Sequence, residues 1–224
     1  MLFIANFKAN KNSKETLAWL SEFHKIQQSL SISKPTVIIA PSFTALEPSA
    51  IFVKKNTWMF PLYLSAQDIS EYPVGSYTGE VTAYELKEIV TYAIIGHSER
   101  RKLFAETEEV VNKKILAAKS QSIIPIVCIS SINEYSKIKD VSIIAYEPKE
   151  AIGTGKAQNP NTAFKILKTI KKNNILQKVL YGGSVGKENV SGYIQDGGFD
   201  GVLVGSGSND PSNFLKIIQY AGKK

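Results

Sequence analysis

Short apolar runs rich in β-branched residues recur eight times along this chain, and almost every one is followed by a stretch with helical periodicity. The runs fall at 2–7, 36–40, within 57–67, and at 92–96, 123–129, 141–146, 179–181 and 201–204. Each has the length and composition of a buried parallel strand. Pro61 leaves the start of the third run open, because proline cannot donate to a strand ladder. The helical stretches begin with 13–30, where Leu17, Leu20, Phe23 and Leu30 share a face, and a weaker segment from Ser42. They continue with a helix near 82–88, a segment carrying Val110, Val111 and Ile115, a short polar one at 132–139, a basic amphipathic one at 161–173, and 210–221. Parallel strands need crossover connections, and helices supply them. Eight such units close into a (β/α)8 barrel, typically ~250 residues long, which makes this example slightly shortened. The rival, a doubly wound open sheet, carries its glycine fingerprint after the first strand. Here that strand runs into Asn6-Phe7-Lys8-Ala9-Asn10, and the glycine clusters follow the sixth, seventh and eighth strands. The prediction is one α/β domain, a (β/α)8 barrel over residues 1–224, since no linker or internal repeat marks a second.

Composition narrows the partners. A hydrophobic content of 43% can bury a sizeable core, yet no apolar run is long enough to span a bilayer. The N-terminus has no basic region ahead of its apolar stretch, so no secretory leader and no membrane association are expected. The single cysteine, Cys128, cannot form an internal disulfide and fits a reducing, cytoplasmic compartment; it reads as a buried structural thiol. The net charge of +7 comes from lysines scattered over helical segments among acids. No basic block interleaves with aromatics, so nucleic acid is not the expected partner. A modest positive field would help to collect a small anion.

In barrels of this kind, active sites are built at the C-terminal ends of the strands. The polar residues there form a small set. The run 141–146 ends at Glu147, followed by Pro148 and by a segment with Gly153 and Gly155. Asn6 and Lys8 end the first strand, and a spacing of two predicts both side chains on one side. His97 sits where the fourth strand turns to helix, and helix N–H groups there disfavour the imidazolium, leaving a neutral donor. His24, on the first helix, reads as structural. Glu99 and Arg100 read equally well as an ion-pair and helix-start cluster. Gly182-Gly183-Ser184 and Gly205-Ser206-Gly207 offer N–H groups and hydroxyls suited to phosphate. No His/Cys/Asp cluster stands at metal-ligand spacing, so no metal is expected, and no Walker or dinucleotide motif is present. This set fits proton abstraction beside a carbonyl, with a carboxylate as base and an imidazole and an ammonium stabilising an enediolate.

These residues lie in motifs that resemble the triosephosphate isomerase family: NFKAN at 6–10, GSYTGE at 75–80, IIGHSERR at 94–101, AYEP with AIGTG at 145–155, and YGGSV at 181–185. The resemblance runs nearly end to end. It implies interconversion of dihydroxyacetone phosphate and glyceraldehyde 3-phosphate, a step of central sugar metabolism, without a cofactor. Glu147 would move the proton and neutral His97 would polarise the carbonyl, a pairing for which this family is itself the type example. Lys8 and Asn6 would bind the substrate, and Gly153, Ser184, Gly205 and Ser206 would hold its phosphate. Pro148–Gln158 would form a mobile lid that excludes water. Thr78 matches the loop tip that family dimers insert into the neighbouring subunit's site, which implies a homodimer. The chain departs from the family in several places. Lys149-Glu150 stand where Val-Trp is usual, and the far hinge Lys156-Ala157-Gln158 is not the commonest version. Ser206 replaces a frequent glycine, and Ser130-Ser131 stand where Gly-Glu is common. The stretch from His97 to Glu147 is short, placing the loss in the fourth and fifth helical layers. The altered hinge also admits a phosphate-binding barrel with impaired catalysis. A different sugar-phosphate barrel would show acids at the first and fifth strand ends, where Lys8 and Ile129-Ser130 stand.

Overall fold

All eight runs become strands, and the sheet they form closes on itself. The computed structural model describes residues 1–30, 35–151 and 158–222. The strands are β1 (Leu2–Asn6), β2 (Thr36–Ala40), β3 (Leu62–Ala66), β4 (Tyr92–Ile95), β5 (Ile124–Ile129), β6 (Ile143–Tyr146), β7 (Lys178–Tyr181) and β8 (Gly201–Val204). Each pairs in parallel with its sequence neighbours, and β8 returns to β1 with Leu2 opposite Gly201. Closure leaves no edge strand to recruit another chain. It also brings two backbones very close: a Cβ built on Gly201 would lie 2.0 Å from the Leu2 carbonyl oxygen. Only glycine fits that seam.

The strand period of two divides the core into two layers. One phase of each strand, including Ile4, Ile38, Ile94, Ile126 and Leu203, fills the barrel interior. Cys128 belongs to this cluster, and burial pushes its thiol well up, as befits an inert structural side chain. The other phase, including Phe3, Ile39, Ile95, Ile144 and Val204, packs outward against the helices.

The helices are α1 (Ser13–Ile26), α2 (Phe43–Lys55), α3 (Ala83–Leu86), α4 (Ser98–Leu103), α5 (Glu108–Ser120), α6 (Ile132–Ser136), α7 (Pro160–Asn173) and α8 (Pro211–Ala221). The buried face of α1 is rotated from the predicted one. Thr16, Trp19, Leu20 and Phe23 are buried, Leu17 only partly, and Leu30 lies beyond the helix. The large indole decides the face: Trp19 stacks on Phe23 at 4.8 Å between centroids and donates its Nε1–H to the Ser208 carbonyl at 2.9 Å. A capping box starts α1, with Asn12 Oδ1 accepting the Glu15 N–H and Glu15 Oε2 accepting the Asn12 N–H. Asn12→Ala is expected to cost about 1 kcal/mol and to lower Tm by about 2–4 °C in a scanning melt.

The helical layers differ in length. The layer after β5 is the 5-residue α6, but the layer after β4 keeps the 13-residue α5. After β3, α3 has 4 residues, and β7 and β8 are joined through a π turn at Gly192–Asp196. Among the described residues no helix is long and apolar enough to cross a membrane.

Candidate active site

Asn6 and Lys8 reach the mouth of the barrel, but not by strand alternation. β1 ends at Asn6, and Lys8 occupies a left-handed turn at φ 50°. Its N–H donates to Asn6 Oδ1 at 3.1 Å, and its ammonium is bonded to Glu99 Oε1. Glu99 lies in the first turn of α4, so the ion-pair and helix-start reading holds for it. Arg100 Nε lies 2.8 Å from both Asp68 Oδ2 and Glu106 Oε2, facing away from the mouth.

The short α4 is capped by the imidazole. His97 Nδ1 accepts the Glu99 N–H at 3.2 Å, and this requires the proton of a neutral ring to be on Nε2. Nε2 lies 3.0 Å from Glu147 Oε1, and the other carboxylate oxygen accepts the Ser98 N–H at 3.0 Å. Both side chains are buried. Burial, the largest influence on Glu147, pushes its carboxyl up; the charge and hydrogen bond of His97, with the Ser98 N–H, outweigh it and hold the carboxyl below its usual range. For His97, burial favours the neutral ring, but the Glu147 carboxylate outweighs it and raises the ring's proton affinity, with Lys8 opposing. That balance belongs to the present pose of Glu147.

The opposite side of the mouth is built from turns. Gly182 leaves room for the Glu147 side chain, since a Cβ there would lie 3.0 Å from Glu147 Cγ. Ser184 takes a left-handed φ of 52° and donates its hydroxyl to the Ala151 carbonyl. Gly205 and Ser206 come directly after β8, with Ser206 exposed. One cavity of about 570 Å³ is lined by Asn6, Lys8, His97, Glu147, Ser184, Gly205 and Ser206. The structure therefore brings seven of the nine sequence-predicted residues together. Gly153 lies outside the described residues. Thr78 is exposed in the loop after β3 and does not line this cavity.

Several contributors were missed from sequence. The backbone N–H of Ser98 holds Glu147, and the only signal for it was its place after His97. Gln158, beyond the undescribed stretch 152–157, is gripped by three tyrosine hydroxyls. Tyr146 donates to its Oε1 at 3.2 Å, Tyr193 donates to its carbonyl, and its N–H donates to Tyr181 at 3.1 Å. Its amide also donates to Glu150, and Lys149 Nζ lies 3.9 Å from Glu134 Oε1. Lys149 and Glu150 thus have partners of their own.

With the sheet closed and a buried carboxylate set against an imidazole at its C-terminal rim, the chain is a (β/α)8 enzyme with the geometry of an isomerase. Comparison makes this specific: the triosephosphate isomerase family model matches residues 1–221. The chain belongs to the triosephosphate isomerase family. It is 35% identical over 252 aligned positions to the triosephosphate isomerase of Caldanaerobacter subterraneus, covering 98% of each chain. It is 36% identical to that of Mesomycoplasma hyorhinis, covering 97% of each, and 35% identical to that of Prochlorococcus marinus, covering 96% of each. The first alignment is longer than this chain's 224 residues, so the relative carries segments that this chain lacks.

Proposed function

We propose that the chain interconverts dihydroxyacetone phosphate and D-glyceraldehyde 3-phosphate through an enediolate, with Glu147 as the base. The observation that carries this is the buried contact of 3.0 Å between Glu147 and His97 on the wall of the cavity that also holds Lys8. A substrate carbonyl arriving at His97 takes over the Nε2–H that Glu147 now accepts, which frees the carboxylate to turn toward the adjacent carbon. The carboxylate removes a proton there and returns it to the neighbouring carbon, while the hydroxyl proton passes from one substrate oxygen to the other beside His97. Lys8 stands beside the developing oxyanion, where an ammonium in a water-poor mouth is most effective. The phosphate lies at the Ser184, Gly205 and Ser206 side, with Gly153 contributing from the lid. Only protons move, so the reaction needs no cofactor and no metal. Pro148–Gln158 closes over the substrate, because an enediolate phosphate exposed to water eliminates phosphate. The working unit is a cytoplasmic homodimer in which Thr78 enters the partner's site.

The second reading, a phosphate-binding barrel with impaired catalysis, rests on Lys149 and Glu150 in the first hinge. One experiment separates the two: isomerisation of glyceraldehyde 3-phosphate in a coupled assay, with methylglyoxal followed in parallel. Fast turnover with little methylglyoxal is expected. Abundant methylglyoxal would mean that the hinge seals poorly, and bound inorganic phosphate without turnover would move the assignment to a binding protein.

A further inference from the structure

Lys8 carries its ammonium on a backbone that its residue type disfavours. A side chain with a Cβ avoids the left-handed region, yet Lys8 sits there at φ 50° immediately after β1 ends. If the turn relaxed to extended geometry, the ammonium would leave the mouth. Something must hold the peptide on its far side.

Gln67, the residue after β3, does this. Its Nε2 donates to the Lys8 carbonyl at 3.0 Å and to the Ala40 carbonyl at the end of β2 at 2.8 Å. The Ala40 oxygen also accepts the Phe7 N–H at 3.1 Å. One amide nitrogen therefore ties together the C-terminal ends of β1 and β2 from the third strand. The two acceptors are both backbone carbonyls, so the amide can face only one way. A carboxylate could not replace it, because an ionised carboxylate only accepts. On the near side, Asn6 Oδ1 takes the Lys8 N–H, so the peptide of Lys8 is pinned from both ends. Gln67 does not line the cavity, and Glu99, not Gln67, meets the ammonium itself. Neither the length nor the charge of Gln67 marked it in the sequence.

We infer that Gln67 is a positioning residue for the isomerisation: it acts through Lys8 by locking the left-handed turn that aims the ammonium. This rests on the role proposed above for Lys8. The test is a double-mutant cycle on the full chain. Gln67→Glu and Gln67→Met are made in the native background and in Lys8→Ala, and kcat/KM and Tm are measured for each. In the native background both changes are expected to lower kcat/KM by about 10- to 100-fold, the scale of a misplaced reacting group. In the Lys8→Ala background the same changes should cost less than about twofold, because there is no ammonium left to misplace. Gln67→Met keeps the bulk without a charge and covers the case in which Gln67→Glu fails to fold. Equal losses in both backgrounds would mean that Gln67 merely supports the rim and would overturn the inference, as would no loss in either. Native-like activity of Lys8→Ala by itself would instead reject the role of Lys8 in the proposed function.

Discussion

Glu147→Gln is expected to lower kcat by about 10²- to 10⁴-fold, the span that a positioned general base contributes. The amide preserves the shape of the carboxylate but cannot take a proton from carbon. Nor can it satisfy both present donors, because its single oxygen accepts from either His97 or the Ser98 N–H, which now hold one carboxylate oxygen each. The companion Glu147→Asp keeps the charge and withdraws it by one methylene, for an expected loss of ~10²-fold. The pH dependence comes from the lowered carboxyl of Glu147. A carboxyl held lower in the folded chain than in the unfolded one contributes stability above the unfolded value, 4.5, and that contribution fades as pH falls through the lower, folded value. The base therefore remains ionised to more acidic pH than a free glutamate. Steady-state turnover across pH checks both points. Native-like kcat in Glu147→Gln would remove the assignment of the base.

The largest effect on stability is expected behind the mouth. Lys114 Nζ lies 2.7 Å from Asp68 Oδ1 and 2.8 Å from Glu106 Oε2, and Arg100 reaches the same two acids. Two acids and two bases thus balance in a largely buried cluster. Lys114→Met leaves excess negative charge there, at a cost of about 3–5 kcal/mol. For a chain of this size that is a fall in Tm of roughly 6–20 °C. Adding Glu106→Gln should restore part of it. The sign with pH is defined. Burial raises the Asp68 carboxyl despite Lys114, whereas for Glu106 Lys114 and Arg100 outweigh burial and lower it. Without Lys114 both acids bind protons more readily, so the deficit relative to the native chain is greatest at neutral pH and narrows in acid. An unchanged urea midpoint would show that the cluster contributes nothing. Because Arg100 belongs to α4, whose cap is His97, the same cluster anchors the helix that presents the imidazole.

The features legible in the sequence were those that depend on near neighbours along the chain. Strands were legible because β-branched runs such as Val37-Ile38-Ile39 stop abruptly at proline, glycine or a polar residue. In a closed barrel those stops are the rim, so Glu147, His97 and Gly205 were found simply as the residues that terminate the runs. Half of the α1 face was legible, in Leu20 and Phe23, but Trp19 was not, because it is placed by Phe23 and by the Ser208 carbonyl far along the chain. Lys8 was assigned to the right place by the wrong geometry. Alternation assumes that the strand continues, and the left-handed turn depends on Gln67 and Asn6, which no local pattern pairs with it. The charged cluster and the tyrosines around Gln158 were missed for the same reason. Their residues are ordinary alone and acquire meaning only once distant strands lie side by side.

The pairing of β8 with β1 has a consequence for how the molecule comes into being. Lys8 lies just past β1 and Gly205 just past β8, with His97 and Glu147 between them along the chain. Without β8 the chain still carries Lys8, His97 and Glu147 but lacks Gly205 and Ser206, and the interior layer stays open to water until Gly201 docks against Leu2. A chain cut before β8 is therefore expected to lose the closed barrel and the complete mouth together.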